Sequence, residues 1–130
     1  MISKTSLQVL SAMTELAKLP PRQRIGAAVI ARKIKAPCNY LSKVLQGMAS
    51  RGLVDSYKGR GGGFSLAIPA EDITLYQIVD AVEGLEKWHK CFMKKPHCHL
   101  KRPCAMHERW AIVRGGYICL LKETHLRDLI

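Results

Sequence analysis

The chain has 130 residues, which suits one compact domain with one appended element, and its 48% of hydrophobic residues excludes a disordered protein. The formal net charge of +11 indicates a polyanionic partner, but charge alone does not separate DNA from RNA or from an anionic membrane. The sequence has no signal-peptide pattern and no run of roughly 18 apolar residues, so we expect a cytoplasmic protein without a membrane partner.

Apolar residues recur at helical spacing in three segments and predict helices over residues 3–19, 27–35 and 38–51. Pro20 and Pro21 end the first helix. Pro37 separates the second from the third, because proline disfavours the helical conformation in the residue before it. Gly52 follows the third helix, where glycine most easily adopts a left-handed cap. Two helices with a short break between them predict a helix-turn-helix.

Two short runs of strand-like composition follow, over residues 53–57 and 64–68. The glycine-rich turn between them carries two cations, Lys58 and Arg60. Strands joined in this way predict a β-hairpin, which is called a wing when it directly follows a helix-turn-helix. A fourth helix is predicted to begin at Thr74, which has capping-box spacing with Gln77, and to end at Gly84.

The C-terminal part of the chain divides into a loop and a helix. Residues 88–103 show no periodicity and are rich in Lys, His, Cys and Pro, which predicts a loop. Residues 105–130 show helical spacing and predict one long helix, with Cys119 in the core and a kink or close helix contact at Gly115 and Gly116. Its apolar face must pack against the N-terminal domain or a second copy of the chain. Its main apolar stripe comprises Trp110, Val113, Tyr117, Leu120 and Leu121.

The predicted fold is therefore mainly α, a winged helix-turn-helix with a two-stranded wing and a long C-terminal helix. The regions are a DNA-binding domain over residues 1–84, a cysteine-rich loop over 85–104 and the C-terminal helix over 105–130.

The third predicted helix carries polar side chains where a recognition helix needs them to reach base edges in the major groove. The wing offers cations on a glycine loop, which permits close approach to a phosphate and entry of an arginine into the minor groove. Each feature alone is common on a solvated surface, but their order along a strongly basic chain predicts DNA binding. The candidate DNA-binding residues are Asn39, Tyr40, Ser42, Lys43, Gln46, Lys58 and Arg60.

Three of the five cysteines cluster in the predicted loop, and an odd number of cysteines argues against a disulfide framework. Six residues separate Cys91 from Cys98, five separate Cys98 from Cys104, and His107 stands three residues beyond Cys104. If a helix has begun by Cys104, that last pair lies on one face. Three thiolates and one imidazole make a complete set of four metal ligands.

The spacing of these four residues favours an iron–sulfur cluster, and 2Fe–2S fits three thiolates with one histidine. Zinc sites usually place two to four residues between paired cysteines, so a zinc site is an alternative. Reduced redox-active thiols are the other alternative. His97 and His99 are reserve ligands, while His89 is predicted to be a solvated loop residue.

The sequence resembles the bacterial winged-helix regulators that include IscR, NsrR and CymR. The recognition-helix segment from Pro37 to Leu45, the wing segment from Lys58 to Ala67 and the next helix from Ile73 to Gly84 carry the resemblance. It covers nearly the whole chain, although the second helix lacks the polar cap and the acidic residue common in the family. The resemblance implies a homodimer held by the C-terminal helix, bound to an imperfectly palindromic DNA operator.

The resemblance also implies a cofactor. In the cluster-binding branch of the family, three cysteines at similar spacing ligate iron, and here they are Cys91, Cys98 and Cys104. In IscR-like members a histidine placed as His107 is the remaining ligand. Other members use an acidic residue of the partner subunit, at a position that corresponds to Gln8 in this chain. Glutamine is a poor iron ligand, so the IscR-like branch with a 2Fe–2S cluster is favoured over a 4Fe–4S cluster.

The sequence thus predicts a transcription regulator whose cluster senses iron, redox state or nitric oxide. The main alternative keeps the DNA binding and replaces the cluster by a zinc site or thiol switch in the same loop. A small redox enzyme is a weak third reading, because the chain has no nucleotide-binding loop and no Cys-x-x-Cys pair.

Overall fold

The structure is a computed structural model that describes residues 2–93 and 104–130. Within these ranges it contains α1 (Lys4–Ala17), α2 (Ala27–Ile34), α3 (Cys38–Ser50), β1 (Val54–Tyr57), β2 (Gly63–Leu66), α4 (Leu75–Glu83) and α5 (Ala105–Glu123). Short 3₁₀ turns lie at Ala70–Asp72, Leu85–His89 and Leu126–Leu129. The first four helices and both strands lie where the sequence predicts them, within one or two residues at each end.

The two strands form the predicted hairpin. They pair antiparallel, with Val54 opposite Leu66 and Tyr57 opposite Gly63. Val54 and Phe64 are buried against the helices, which anchors the hairpin and leaves its turn exposed. The mainly helical winged helix-turn-helix predicted from the sequence is therefore confirmed.

The core is almost entirely aliphatic, as the low aromatic content requires. α1 lies at its centre and contacts α2, α3, α4 and β2. None of the helices in the described part of the chain is long and apolar enough to cross a membrane. The largest fully buried side chains belong to Met13, Ile30, Leu41, Leu45, Met48, Ile73, Ile78, Leu85 and Leu126.

The ends of α4 follow from its sequence. The backbone N–H of Gln77 donates to the Thr74 hydroxyl oxygen at 3.2 Å, and the Gln77 side chain accepts from the Thr74 N–H at 2.8 Å. This is the reciprocal capping box that the spacing predicts. Gly84 ends the helix with φ of 68°, a conformation that glycine adopts without steric cost.

The prediction of one helix over residues 105–130 is wrong at its C-terminal end. α5 stops at Glu123, and the chain then pairs with the segment that precedes α4. The N–H of Leu75 donates to the Thr124 carbonyl at 2.9 Å, and the N–H of Leu126 donates to the Ile73 carbonyl at 2.8 Å. The physical reason is burial: this turn places the Leu126 side chain fully inside the core, which a straight helix would leave in solvent.

Two other predictions for this helix need correction. Cys119 is exposed rather than in the core, and so are two members of the predicted stripe, Val113 and Leu120. The helix is continuous through Gly115 and Gly116, and a side chain at either position would meet open space. The reason is that only one side of α5 packs on the protomer.

A buried carboxylate joins the two ends of the DNA-binding domain. Glu83, at the end of α4, accepts hydrogen bonds from the Ser6 hydroxyl at 2.6 Å and from the Ser3 N–H at 3.2 Å. The Lys87 ammonium lies 3.3 Å from its other oxygen. Burial disfavours the charged form, but these hydrogen bonds and the Lys87 charge outweigh it and lower the pKa of Glu83.

We expect Glu83→Gln to destabilise the fold by about 1.5–3 kcal/mol at neutral pH, the usual contribution of hydrogen bonds to a charged group. Because the folded-state pKa of Glu83 lies below 4.5, this stability is fully present above about pH 4.5 and is lost as the pH falls. Urea unfolding of both proteins at several pH values measures the difference, with the exposed neighbour Glu86→Gln as control. A difference that does not shrink with acidification would contradict this account.

Candidate nucleic-acid interface and metal site

The recognition helix α3 buries one side and exposes the other. Leu41, Leu45 and Met48 point into the core. The predicted reading residues Asn39, Tyr40, Lys43 and Gln46 are exposed, and Ser42 is half-buried. Because positions 39, 43 and 46 are spaced at four and three, their side chains share one solvent-facing stripe.

The turn before α3 provides no capping side chain for the N-terminus of this helix. Lys35 ends α2 in the left-handed conformation, with φ of 56°, and its N–H donates to the Ala31 carbonyl. Pro37 is the N-cap of α3 and provides no capping side chain, and the first turn contains no acidic residue. The residues of this cap and first turn therefore leave the partial positive charge at the start of the helix without an acidic partner of their own.

The wing turn is shaped by its glycines. Gly59 and Gly61 have φ of 83° and 70°, in the left-handed region that favours glycine. A Cβ at Gly62 would overlap the carbonyl oxygen of Tyr57, so a side chain there would displace the turn. Lys58 and Arg60 are both exposed on this turn. The structure thus brings together two cationic side chains on a tightly folded loop beside α3.

One feature of the wing escapes the sequence analysis. The segment before α2 forms an isolated β-bridge with β2: Ile25 and Phe64 exchange both backbone hydrogen bonds, at 3.1 and 2.8 Å. Next to it, the guanidinium carbon of Arg24 lies 3.3 Å from the centre of the Tyr57 ring. Nothing in the local pattern of residues 20–26 predicts a strand, because a single residue pair has no periodicity.

Three of the four predicted metal ligands line one pocket. Cys91, Cys104 and His107 lie around a cavity of about 200 Å³, together with His89, Lys90, Phe92, Met106, Trp110 and Arg114. Cys91 and His107 are half-buried, and Cys104 is exposed. The three donors do not form a closed site, since residues 2–93 and 104–130 contain no group of three His, Cys, Asp or Glu close enough to hold a metal. The fourth predicted ligand, Cys98, and the reserve ligands His97 and His99 lie outside the described residues.

The N-terminus of α5 sets the relation between two of these ligands. Cys104 is the N-cap residue, and the N–H of His107 donates to its carbonyl oxygen at 3.0 Å. The N-cap and third positions face each other at the start of a helix, as in a capping box. The helix dipole favours negative charge at this end, which suits a thiolate ligand. The i, i+3 relation predicted from the sequence is present in the structure.

An aromatic cluster holds the Cys91 segment against α5. Trp88 stacks on Trp110 with ring centres 5.4 Å apart and contacts Tyr117 at 4.7 Å, while Phe92 meets the edge of Trp110 at 5.3 Å. The indole N–H of Trp110 donates to the Lys90 carbonyl at 3.1 Å, directly before Cys91. Helical spacing predicts that Trp110 and Tyr117 share one stripe, but it does not predict their partners Trp88 and Phe92, which lie within the cysteine-rich loop.

Comparison with known proteins identifies the chain's relatives. Residues 2–130 match the model of the family described as "Rrf2: Iron-dependent Transcriptional regulator". The chain belongs to the Rrf2 family. It is 33% identical over 103 residues to a protein of Aquifex aeolicus described as an HTH-type transcriptional regulator, covering 78% of this chain and 72% of that one.

Solved structures show the same fold. CymR, the global cysteine regulator of Bacillus subtilis, superimposes with a TM-score of 0.80 at 26% identity, over 99% of this chain and 95% of CymR. IscR of T. potens superimposes with a TM-score of 0.79 at 22% identity, over 99% of this chain and 85% of IscR, which shows the fold alone. The Rrf2 family consists of DNA-binding transcription regulators, so the prediction that this protein is not an enzyme is confirmed.

The two remaining cysteines of this Rrf2 regulator lie away from the pocket. Cys38 is exposed on the first turn of α3, so it does not pack in the core. The Cys119 thiol is hydrogen-bonded to Glu123, and this bond together with the carboxylate charge raises the pKa of Cys119. Both positions therefore offer control substitutions for the three loop cysteines.

We expect Trp110→Leu to release the Cys91 segment, because it removes both ring contacts and the hydrogen bond to Lys90. Hydrogen exchange should accelerate over residues 88–93 by about tenfold or more, the equivalent of losing one net hydrogen bond and a stacked ring. Amides of α1 and α3 should keep their protection. Arg109→Ala, an exposed change next to Trp110, is the control, and unchanged exchange over 88–93 in Trp110→Leu would contradict the proposed attachment.

Proposed function

We propose that the protein binds operator DNA as a homodimer, with α3 in the major groove and the wing turn against the adjacent minor groove. The polar stripe of α3 and the cations of the wing lie on consecutive elements, and both are exposed. The observation that carries the proposal is this combination of a partly exposed recognition helix with an exposed cationic turn, in a chain of net charge +11. The bases are then read by Asn39, Tyr40, Ser42, Lys43 and Gln46, and the phosphates or minor groove are contacted by Lys58 and Arg60.

The exposed face of α5 supports the dimer. Ile112, Val113 and Leu120 are 76%, 50% and 58% exposed on the protomer. A helix with such side chains in solvent is stabilised when another apolar surface covers it. A second copy of α5 provides a self-complementary surface, and two-fold symmetry matches a palindromic operator.

We further propose that Cys91, Cys98, Cys104 and His107 hold an iron–sulfur cluster, with 2Fe–2S favoured. Its support is that Cys91, Cys104 and His107 line one cavity of about 200 Å³, although Cys91 is distant from the other two in the sequence. The donor set suits iron, because it combines soft thiolates with an imidazole. The rings of Phe92 and Trp110 line the same cavity. The description of the family as iron-dependent agrees with this assignment. The occupancy or oxidation state of such a cluster would depend on iron supply, redox state or nitric oxide, so the bound cluster would act as the sensor.

The residues around the pocket have defined tasks in this proposal. Cys104 and His107 present donors from the rigid start of α5, and the Trp110 hydrogen bond to Lys90 positions the segment that carries Cys91. Ligation by Cys98 would tie residues 94–103 to the same centre. Metal–ligand bonds would thereby fix the conformation of the chain between α4 and α5.

A second candidate is a regulator that uses the same pocket without a cluster. Two thiols, Cys91 and Cys104, line it, and the similar CymR is named as a cysteine regulator. A disulfide or a zinc site there would also change the conformation of the chain between α4 and α5. The experiment on metal content below separates these possibilities.

For the metal site, we expect protein purified without oxygen to absorb in the visible range and to contain iron and sulfide. Cys91→Ala, Cys98→Ala and Cys104→Ala should each abolish this absorption, whereas His107→Ala should weaken or shift it because another donor can fill one position. The matched control is Cys119→Ala, which lies on α5 outside the pocket. Colourless protein with bound zinc would instead support a zinc site, and colourless metal-free protein that forms a disulfide would support the thiol switch.

For the DNA interface, we expect Lys43→Ala to cost about 1–3 kcal/mol on an operator selected from a random duplex library and to relax base preference. Lys58→Ala should weaken all sequences alike, and Arg60→Ala should weaken A·T-rich sites with a narrow minor groove most. Wild-type affinity should fall on the order of 10³-fold between about 50 and 200 mM salt. Fluorescence anisotropy measures each affinity, with Lys122→Ala as control.

Two results would contradict the DNA proposal. One is that Lys43→Ala reduces the affinity for operator DNA and for random DNA equally, which would mean that Lys43 does not contact the bases. The other is full-strength binding of a monomer to a single half-site, which removes the dimer.

A further inference from the structure

The contact between Arg24 and Tyr57 gives the wing surface an additional cation. The guanidinium carbon lies 3.3 Å from the centre of the Tyr57 ring, well within the distance of about 6 Å for a cation–π interaction. Both residues are exposed. Within the described part of the chain, Arg24 forms no ion pair with a carboxylate, so its charge is not neutralised.

The backbone explains why Arg24 lies over this ring. The N–H of Ile25 donates to the Phe64 carbonyl, and the Ile25 carbonyl accepts from the Phe64 N–H. The Ile25 side chain is buried. Arg24 is exposed beside the buried Ile25, and the contact of its guanidinium with the Tyr57 ring places it on the solvent face of the wing. On that face Tyr57 stands opposite Gly63, which has no side chain to obstruct an arginine that reaches across β2.

The pairing also requires glycine at position 63. Gly63 has φ of 147°, and a Cβ there would lie 2.7 Å from the carbonyl oxygen of Ile25. The backbone at Ile25 can approach β2 this closely only because this side chain is absent. The glycine run of the wing thus shapes the turn and also allows the contact with Arg24.

We propose that Arg24, positioned over Tyr57, contacts the DNA backbone at the base of the wing. Tyr57 directly precedes Lys58, so Arg24 extends the cationic surface of the turn toward the loop before α2. An arginine in this position binds phosphate without reading sequence, because the ring fixes its plane and leaves N–H groups free to donate. This inference rests on the proposed placement of the wing on DNA.

The test uses a labelled duplex of mixed sequence, long enough for two half-sites, because a phosphate contact needs no operator. For each bound protomer, Arg24→Ala should reduce affinity by about tenfold, the size of one charge-assisted hydrogen bond, and reduce the slope of log affinity against log salt by about one. Arg24→Gln, which keeps much of the side-chain stem, should behave in the same way. Thermal unfolding of each variant establishes that the protein is folded.

Substitutions at Tyr57 separate positioning from charge. Tyr57→Phe keeps the ring and should bind as wild type, whereas Tyr57→Leu should weaken binding and leave the salt slope unchanged. In the Arg24→Ala background, Tyr57→Leu should have no further effect, because the ring then has no cation to position.

The control is Arg127→Ala, which also removes one positive charge. Arg127 is an exposed arginine on the C-terminal 3₁₀ turn and pairs with Glu71. If Arg24→Ala and Arg24→Gln lose no more affinity than this control, or keep the wild-type salt slope, Arg24 does not contact phosphate. If wild-type binding itself does not depend on salt, the proposed DNA interface fails, which is a distinguishable result.

Discussion

The carboxylate of Glu83 joins the two ends of the DNA-binding domain to the segment that leads to the cysteines. It connects the start of α1 to the end of α4 through Ser3 and Ser6, and it pairs with Lys87 in the segment that leads to the cysteines. Its charge also acts on α5: burial, and then the Glu83 carboxylate, raise the pKa of Tyr117. Through its hydrogen bonds and ion pair, this one ionised group links α1, α4 and the 3₁₀ turn that carries Lys87.

The aromatic cluster continues this connection toward the candidate metal site. Trp88 lies between Tyr117 and Trp110, and its ring nitrogen and the Tyr117 hydroxyl are buried without a hydrogen-bond partner among the described residues. Burying such groups costs free energy, which the packing of the rings must offset. The cluster therefore keeps its geometry through ring contacts, and the Cys91 segment keeps its position because Trp110 also binds the Lys90 carbonyl.

The sequence predicts the elements of the winged helix because each has a local cause. Apolar spacing marks the helices, Pro37 marks the break before α3, and the capping box of Thr74 with Gln77 marks the start of α4. The i, i+3 relation of Cys104 and His107 is local too, so it was also predictable. What was not predictable depends on residues distant in the chain: the Ile25–Phe64 pairing, the stacking of Trp88 on Trp110 and the turn that buries Leu126. The exposure of Cys119 belongs to the same group, because helical spacing shows that a face is apolar and does not show what covers it.

The C-terminal helix is attached near its start to the cysteine-rich loop and after its end to the DNA-binding domain, and these two attachments determine how a ligand could act on DNA binding. Near its N-terminus, Trp110 and Arg114 bond to the carbonyls of Lys90 and Trp88, and after its C-terminus the chain pairs with the residues before α4. The end of α5 is therefore linked to the start of α4, while the start of α5 is linked to the segment that carries Cys91. A ligand at Cys91, Cys104 and His107 that shifts the start of α5 relative to α4 would also shift the proposed dimer surface. In the proposed dimer, this surface sets the positions of the two recognition helices relative to each other. A small change in its angle would alter their separation and so their contacts with DNA. Such a difference between two states is what a ligand-driven switch requires.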